Sequence, residues 1–541
     1  MPSNDQFPEA SDPAGPLNEL AHWLGSAAQH CALGLLLGGL AARLMRRQQL
    51  HWSWALPALV LFVLARSSVP LPASTLVIAA LLAIVRGARW QRHDLDSGVD
   101  LAESALARLT PQDLLRRLVG DLGARLRGAD GGPGGVDTQR LVLGVDEHGG
   151  KVTIPFGGHA SGRHTLVVGA TGSGKTVTQS RMAMCAIERG MGAIVVDPKG
   201  DEGMREQLQR SAEAAGRRFL QWTPTGPCVY NPYAHGGETE IVDKALAGER
   251  FTEPHYLRQA QRYMGHAVRA LRASGREVSL RGIVQLLDPG ELDVLARALP
   301  EAEASRIHQY LDSLTTRQQS DLSGVRDRLA ILVESDVGRW LDPLTPDGEH
   351  FDLLTAVRER SVVYFSLDAD RRPLLAQMLG AAVVQDLQTT VAALQASPTA
   401  AIAVIDEFSA VAAEQVVRLF GRARSAGLSL VLGTQELSDL RLPGAVKLLE
   451  QIMGNLSTVI AHRQVVPSSV ELISSMAGTH GVWKVSRHSD GRSTRTRSRE
   501  PVLDTSRITE LGQGRAAVIV LDVASAVRIT RVYSPQQGAT R

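Results

Sequence analysis

One octapeptide constrains this chain more than any other feature. Residues 169–176 read Gly-Ala-Thr-Gly-Ser-Gly-Lys-Thr, which fits the spacing G-x-x-x-x-G-K-[ST] in full. An apolar run precedes the motif, and a helical pattern follows it at 177–188. Gly169, Gly172 and Gly174 allow backbone conformations that turn N–H groups toward phosphate oxygens, and the N-terminus of the following helix adds partial positive charge. The motif therefore predicts a phosphate-binding loop between a strand and a helix.

Two side chains of this loop have distinct predicted roles. Lys175 is expected to reach the β- and γ-phosphates, and Thr176 to place its hydroxyl on Mg²⁺. We therefore predict ATP and Mg²⁺ as cofactors. The predicted nucleotide-binding residues are Gly169, Ala170, Thr171, Gly172, Ser173, Gly174, Lys175, Thr176 and Val177.

A second apolar run, residues 401–405, ends in the two carboxylates Asp406 and Glu407. An α/β sheet places its ligands beyond the carboxyl ends of its strands. Asp406 is therefore predicted to hold Mg²⁺, directly or through water, together with Thr176. Glu407 is predicted to be the catalytic base that activates the attacking water. The alternative for Glu407 is a charge that stabilises a helix N-terminus.

A third apolar run, residues 428–432, has polar candidates on both sides. Gln435 follows it and is a candidate sensor of the γ-phosphate. Arg422 and Arg424 precede it on a helical stretch, and an arginine from a neighbouring subunit would neutralise charge in the transition state. A solvated helix face is the alternative for both arginines.

Apolar runs bounded by turn residues predict the strands of an α/β fold with a central, mostly parallel sheet. Between residues 233 and 343 these runs give way to helical periodicity. We predict a RecA-like P-loop NTPase motor domain at 136–235 and 346–535, an all-α insertion domain at 236–345 and a tail at 536–541. The predicted strands are 165–168, 193–196, 362–366, 402–405, 428–432 and 458–461, after a hairpin of 140–145 with 151–155.

The first part of the chain predicts a membrane anchor. Residues 1–24 are acidic, contain proline and are predicted to form a tail, and 91–135 a juxtamembrane helical linker that ends in a glycine-rich hinge. Between them lie apolar segments near the lower limit of about 17 to 25 residues for a spanning helix. These segments are 25–42, 50–65 and 69–85.

The positions of the basic residues predict how the apolar segments are oriented in the membrane. Arginines cluster after the first and third segments, and Arg86 begins the second cluster. The positive-inside rule then gives three transmembrane helices within 25–90, with everything after Arg86 in the cytoplasm. Two helices are the alternative, because His30 weakens the first segment. We predict a multi-pass protein of the bacterial inner (cytoplasmic) membrane.

Charge gives no global attraction to nucleic acid, because 58 basic residues face 56 acidic ones for a net charge of +2. Any DNA contact must therefore be local. Residues 484–499 carry six lysines and arginines among Ser, Thr and Gly, and we predict a flexible basic loop that contacts phosphates without reading sequence. A solvated disordered loop is the alternative.

These motifs together resemble the TraG/TraD-type coupling proteins of type IV secretion. The resemblance covers most of the chain and includes 163–176, Val-Val-Asp-Pro-Lys-Gly-Asp at 195–201, Tyr-Asn-Pro at 230–232, Ile-Asp-Glu-Phe at 405–408 and 424–435. It implies a homo-hexameric membrane ATPase that recruits and translocates single- or double-stranded DNA, with a relaxase and secretion-channel proteins as partners. It also assigns the finger acting in trans to Arg424, with Arg422 as the alternative, and the sensor to Gln435.

The resemblance leaves alternatives open. Asp197 and Lys199 match a family segment, yet a turn that caps a strand and a helix explains them as well as direct chemistry does. The loops between the apolar segments are too short for the periplasmic portion that coupling proteins commonly carry. Alternative functions are a non-processive adaptor ATPase that docks or gates secretion cargo and a DNA translocase similar to the FtsK and HerA motors.

Overall fold

The computed structural model describes residues 15–47, 52–55, 73–96, 140–147, 149–157, 162–249, 251, 253–411, 413–440, 447–487, 493–521 and 526–533. The second apolar segment apart from 52–55, the linker after residue 96 and both chain ends lie outside the described residues. The chain divides into two compact units: Met1–Gly135 with Thr479–Glu500, and Val136–Gly478 with Pro501–Arg541.

Strands and helices alternate along much of the chain. The strands are β1 (Arg140–Asp146), β2 (Lys151–Pro155), β3 (Thr165–Val168), β4 (Gly192–Asp197), β5 (Phe219–Trp222), β6 (Cys228–Tyr230), β7 (Glu349–Phe351), β8 (Val362–Ser366), β9 (Ala401–Ile405), β10 (Leu428–Thr434), β11 (Thr458–Ala461), β12 (Thr479–Arg487), β13 (Ser493–Pro501), β14 (Arg515–Val520) and β15 (Ala526–Val532).

The helices follow in the same order. They are α1 (Gly15–Arg47), α2 (Ala73–Asp96), α3 (Lys175–Glu188), α4 (Glu202–Ala214), α5 (Glu238–Leu246), α6 (Pro254–Ala273), α7 (Leu280–Leu286), α8 (Pro289–Ala296), α9 (Glu301–Asp312), α10 (Thr316–Val333), α11 (Leu353–Arg358), α12 (Pro373–Leu394), α13 (Phe408–Val411), α14 (Ala413–Ala423), α15 (Leu448–Met453), α16 (Pro467–Ala477) and α17 (Thr505–Thr509).

A central sheet in the order β2-β1-β15-β14-β11-β3-β10-β9-β4-β8-β5 organises the second unit. The strands from β11 to β5 pair in parallel, and β14, β15, β1 and β2 extend the sheet in antiparallel pairing. Strand β3 lies between β10 and β11, so Leu166 pairs with Leu432 on one side and Val459 on the other. The predicted α/β class with a mostly parallel sheet is confirmed.

Helices cover both faces of this sheet, which explains why its central strands are buried along their whole length. Successive side chains of a strand point to opposite faces. Val167 belongs to one hydrophobic cluster with Met182 of α3 and Leu208 of α4. Leu166 belongs to the other with Leu379 of α12 and Leu419 of α14. The β3 strand is thus held from both sides at the point where the phosphate-binding loop leaves it.

The chain between β6 and β7 is helical and contains α5 to α10 and a 3-10 turn at Gly338–Leu341. The buried positions of α6 recur at helical spacing: Ala260, Tyr263, Met264, Ala267, Val268, Ala270 and Leu271. A buried ion pair joins this region to α12, because Lys244 Nζ lies 2.6 Å from Asp386 Oδ1. The Tyr230 hydroxyl donates to Asp386 Oδ2 at 2.8 Å. The predicted boundaries of an insertion domain at 236–345 stay a prediction.

Among the described residues, one helix is long and apolar enough to cross a membrane, Leu20–Met45 within α1. Helix α1 begins at Gly15, within the segment 1–24 that is predicted to form an acidic tail, and the bounds of that tail stay a prediction. Leu17, Leu20 and Leu24 continue the helical spacing of apolar residues, which outweighs the acidic character of the stretch.

Helices α1 and α2 pack closely through glycines. A Cβ on Gly34 would lie 2.9 Å from Ile78 Cβ, and a Cβ on Gly38 would lie 2.6 Å from the carbonyl oxygen of Ala79 and 2.9 Å from Leu82 Cβ. Small residues allow helix backbones to approach this closely in membranes. The residue numbers increase together along the contact, from Gly34 beside Ile78 to Gly38 beside Leu82. The two helices therefore run in the same direction.

The basic segment at 484–499 was predicted as a flexible loop, and this prediction is wrong for its described residues. They belong to strands β12 and β13, which pair as a two-stranded sheet; residues 488–492 lie in the gap between the described ranges. The sequence Thr-Arg-Thr-Arg-Ser-Arg at 494–499 alternates with a period of two, which is a strand pattern. Arg497 and Arg499 are exposed.

Candidate nucleotide site

The phosphate-binding loop follows β3, and α3 begins at Lys175. Gly172 and Gly174 have φ angles of 76° and 110°, in the left-handed region that only glycine adopts readily. Gly174 occupies the N-cap and has no side chain that could cap the first N–H groups of α3. A Cβ on Gly172 would meet nothing within 4 Å. The loop is therefore open at Gly172, and no N-cap side chain binds the first N–H groups of α3, which suit an anion.

The opposite side of the loop rests on His462, which follows β11. A Cβ on Gly169 would lie 2.5 Å from Ser173 Oγ and 2.7 Å from His462 Cβ. Burial lowers the pKa of His462 to about 4, so its imidazole is neutral near pH 7. Nδ1 then donates to the Arg515 carbonyl at 3.1 Å, and Nε2 accepts from the Thr178 hydroxyl at 2.8 Å. His462 thus fixes the loop through contacts with α3 and the start of β14.

Three charged side chains meet in front of the loop. Lys175 Nζ lies 2.6 Å from Glu407 Oε1 and 3.1 Å from Asp406 Oδ1. All three side chains are at least nine-tenths buried. Buried carboxylates are stable as ions only when paired, and here one lysine pairs with both. The structure thus brings together the predicted phosphate-binding lysine, the predicted metal ligand and the predicted base.

Glu407 has a backbone conformation that the sequence did not indicate. Its φ is 43°, which is costly for a residue with a side chain and is typical of functional sites. Burial alone would raise the pKa of Glu407, but the charge of Lys175 and hydrogen bonds from Lys175, Gln435 and Lys199 hold it below its usual value. Glu407 is therefore an anion able to accept a proton.

Gln435 joins the site as its position after β10 predicts. Its amide nitrogen donates to Glu407 Oε1 at 2.9 Å. Its amide oxygen accepts from the Thr171 hydroxyl at 3.4 Å. Gln464 Nε2 donates to the Gln435 carbonyl at 3.0 Å and fixes its backbone. Gln435 thus bridges the base and the phosphate-binding loop.

Thr176 and Val177 occupy the first turn of α3, where Thr176 is half-buried and Val177 is exposed. Hard oxygen ligands suit Mg²⁺, and the role of the Thr176 hydroxyl and the Asp406 carboxylate as two of these ligands stays a prediction. The open loop, the Lys175 ammonium and these two oxygens form a donor set that fits ATP with Mg²⁺.

Arg422 and Arg424 do not reach this site. Both are exposed, and the Arg424 carbonyl accepts from the amide of Gly162, which precedes β3. They therefore lie beyond the amino end of β10, whereas the phosphate-binding loop lies beyond the carboxyl ends of the parallel strands. The strand Leu428–Thr434 separates the two edges by roughly 20 Å at about 3.3 Å per residue.

Several residues of the site escaped prediction from sequence. A Cβ on Gly433 would overlap Asp406 Oδ1 and the amide nitrogen of Gln179, so a larger residue at this β10 position would displace one or both of these side chains. Gln179 Nε2 donates to Asp406 Oδ1 at 3.0 Å. His462 supports the loop from below. For His462 the available signal was a polar residue just after an apolar run; Gly433 and Gln179 carry no comparable signal in the sequence.

Lys199, which the sequence left undecided, also contacts the site. Its Nζ lies 3.1 Å from Glu407 Oε1. Asp197 acts as a turn cap, because its carboxylate accepts from the amides of Lys199, Gly200 and Asp201 at 2.6 to 3.0 Å. Asp197 therefore caps the turn, and Lys199 contacts the site directly.

Known proteins share this architecture. The family model for the type IV secretion-system coupling protein DNA-binding domain matches residues 150–530. The bacterial conjugative coupling protein TrwB, without its first 70 residues, is 20% identical, with a TM-score of 0.56 over 73% of this chain and 90% of that one. TrwB in complex with ADP and Mg²⁺ is 19% identical, with a TM-score of 0.53 over 75% and 97%. TrwB in complex with the non-hydrolysable GTP analogue GDPNP is 19% identical, with a TM-score of 0.53 over 74% of this chain and 96% of that one.

A search of curated proteins found no match. The structural matches, all at or below 20% identity, establish the fold. The family model covers more than two thirds of the chain, including the phosphate-binding loop, the Asp406–Glu407 strand and Gln435. This chain therefore belongs to the type IV secretion-system coupling proteins.

Proposed function

We propose that this protein is a membrane-anchored ATPase that couples ATP hydrolysis to the recruitment and translocation of DNA in type IV secretion. One observation carries the ATPase assignment: Lys175, Asp406, Glu407 and Gln435 converge within hydrogen-bond distance in front of an open phosphate-binding loop. The family and the nucleotide complexes of TrwB support it.

The residues divide the work of hydrolysis. Lys175 leaves the two carboxylates and binds the β- and γ-phosphates, while Thr176 and Asp406 hold Mg²⁺, which neutralises phosphate charge when bound. Glu407, freed from Lys175, accepts the proton of the attacking water. Gln435, which already donates to Glu407, orients that water or the γ-phosphate.

Purified full-length protein tests this assignment. Lys175→Ala should abolish ATP hydrolysis, because the lysine is the cation that the loop offers to the phosphates. Lys151→Ala removes the same charge from an exposed position on β2 and should leave hydrolysis unchanged. Hydrolysis that survives Lys175→Ala would contradict the site.

The position of Arg424 supports a ring, and we propose a homo-hexamer. In its own subunit the residue lies at the far edge of the sheet from the nucleotide site, so it acts there only if a neighbouring subunit presents it. Such a finger accelerates turnover by about 10³ to 10⁵ where it has been measured. Arg422 is the alternative finger on the same turn.

A face of the β12–β13 hairpin is the proposed DNA contact. A Cβ on Gly481 would lie 3.2 Å from Arg497 Nε, so the Arg497 side chain lies on the face toward which a side chain at position 481 would point. Trp483 and Arg499 lie two residues further along each strand and share that face. Trp483 is 54% exposed. Two guanidinium groups for phosphates beside an indole for stacking suit single-stranded DNA.

Charge reversal tests this face. Arg497→Glu with Arg499→Glu should weaken DNA binding and reduce the slope of log affinity against log salt by about two, one for each lost phosphate contact. Arg507→Glu, an exposed arginine in α17, is the control. An unchanged salt slope would exclude the hairpin.

The parallel packing of α1 and α2 supports three crossings. We propose that α2 also spans the membrane, although it is less apolar than α1. Two spanning helices that run in the same direction require the chain between them to return across the membrane. A reporter fused at the N-terminus should therefore be periplasmic and one at the C-terminus cytoplasmic. Two cytoplasmic reporters would favour the two-helix alternative and an inner-membrane protein with both ends inside.

The rival function is an adaptor ATPase that docks a relaxase or other cargo to secretion-channel proteins without processive movement. It predicts hydrolysis that responds to cargo protein and not to DNA length. An FtsK- or HerA-like translocase predicts DNA movement that does not need residues 1–90. DNA transfer by a variant that lacks those residues would distinguish this last alternative.

A further inference from the structure

Lys199 provides a second cation at Glu407, on a different element from the phosphate-binding loop. Its Nζ lies 3.1 Å from the same Oε1 atom that Lys175 approaches to 2.6 Å. The side chain of Lys199 is 45% exposed, whereas that of Lys175 is 8% exposed. The contact is specific because Lys199 reaches across from the end of β4 to the end of β9, its neighbour in the sheet.

The backbone of Lys199 is held rigidly. Asp197 Oδ1 accepts from the amides of Lys199 at 2.9 Å and Gly200 at 3.0 Å. Asp197 Oδ2 accepts from the Asp201 amide at 2.6 Å and the Tyr364 hydroxyl at 2.7 Å. The Asp197 side chain is therefore fully used in building the turn. Lys199 is the side chain that the turn presents to the nucleotide site.

The two lysines have different fates once nucleotide binds. Lys175 is committed to the phosphates, so its ion pair with Glu407 is lost at the moment when Glu407 has to act. A buried carboxylate without a partner is unfavourable and free to rotate. Lys199 and Gln435 are the remaining donors to Oε1 among the described residues. Gln435 is neutral, which leaves Lys199 as the remaining charged partner.

We propose that Lys199 is a positioning residue, which holds the Glu407 carboxylate in place after Lys175 has transferred to the phosphates. The inference rests on the proposed ATPase function. The hydrogen bond engages one carboxylate oxygen, Oε1, and leaves Oε2 to accept the proton from water. Lys199 makes its hydrogen bond and ion pair with Glu407, and the charge of Asp406 adds only a longer-range attraction, so its contribution is made chiefly through Glu407.

Steady-state kinetics of the full-length protein test the proposal. Lys199→Met keeps the length of the side chain and removes the charge. It should lower kcat about tenfold while the Kd for an ATP analogue changes little, as expected for a residue that acts on the base and not on the bound nucleotide. Lys199→Arg restores a cation and should recover most of the lost kcat. Lys151→Met on β2 is the exposed control.

Two outcomes would overturn the proposal. An unchanged kcat in Lys199→Met means that Glu407 needs no second cation. A loss of ATP-analogue affinity that matches the loss in kcat means that Lys199 binds phosphate instead. Glu407→Gln provides the internal check, since Lys199→Met should have no further effect on turnover in that background.

A measurement without nucleotide separates this proposal from the ATPase assignment. In the nucleotide-free protein, the melting temperatures of Lys199→Met, Glu407→Gln and the double variant should show coupling, because the two side chains are in contact. If the melting temperatures are coupled but the wild-type protein does not hydrolyse ATP, the ATPase assignment is overturned and the contact between Lys199 and Glu407 stands. Additive melting shifts would overturn the contact itself.

Discussion

Glu407→Gln should tighten ATP binding while it stops turnover. In the structure Lys175 Nζ is paired with Glu407 Oε1 at 2.6 Å and with Asp406 Oδ1 at 3.1 Å, and ATP has to compete with both carboxylates for this ammonium group. Glutamine is isosteric and neutral, so it removes the shorter of the two pairs and leaves the shape of the site unchanged.

The size of both effects follows from the contacts. A hydrogen bond to a charged group contributes about 1.5 to 3 kcal/mol. If the lost contact between Lys175 and Glu407 contributes the lower of these values, its removal strengthens ATP binding by about tenfold, since 1.4 kcal/mol corresponds to a factor of ten. Loss of a general base lowers turnover by about 10² to 10⁴. The variant is therefore expected to hold ATP without hydrolysing it.

Equilibrium binding of a fluorescent ATP analogue and single-turnover hydrolysis measure the two effects separately. Asp439→Asn, an exposed carboxylate in the 3-10 turn after β10, is the charge-matched control and should change neither. Turnover close to that of the wild type would refute the role of Glu407 as base. Weaker ATP binding in Glu407→Gln would refute the competition for Lys175.

Three further predictions concern the surroundings of the site. Gly433→Ala should raise the Mg²⁺ concentration for half-maximal hydrolysis about 10- to 100-fold, because the added methyl group displaces Asp406; an unchanged Mg²⁺ titration would contradict this. Burial holds the pKa of His462 at about 4, below the usual value of 6.5. The free energy of unfolding, measured with urea, should therefore fall by about 3 kcal/mol as the pH is lowered from 6.5 to 4. His462→Gln should flatten this slope, and an equally steep slope would refute it. Arg424→Ala should lower turnover about 10³-fold, and mixing it with Lys175→Ala should restore some activity if the arginine acts in trans; no recovery would favour Arg422 or an action within one subunit.

The parallel strands could be predicted because each is buried on both faces and reads as an apolar run. Strands β3, β8 and β11 begin and end where the sequence predicts. Strand β5 escaped because Phe219–Trp222 is short and alternates between half-buried and buried positions. The antiparallel extension through β14 also escaped, because pairing order depends on the tertiary fold.

The candidate site shows a similar division. Motif spacing predicts Lys175, Asp406 and Glu407 because each follows a strand or begins a helix. The left-handed φ of Glu407 and its direct pairing with Lys175 depend on how β3 and β9 are placed on either side of β10. The exclusion of a Cβ at Gly433 likewise arises between strands, where sequence spacing carries no information.

The rate of ATP hydrolysis by the full-length protein in lipid nanodiscs, with and without DNA, tests the central claim most directly. The proposed coupling of ATP hydrolysis to DNA predicts hydrolysis that DNA stimulates, that Lys175→Ala abolishes and that Arg497→Glu with Arg499→Glu leaves at its DNA-free rate. Hydrolysis that neither single- nor double-stranded DNA changes would contradict a DNA-translocating motor.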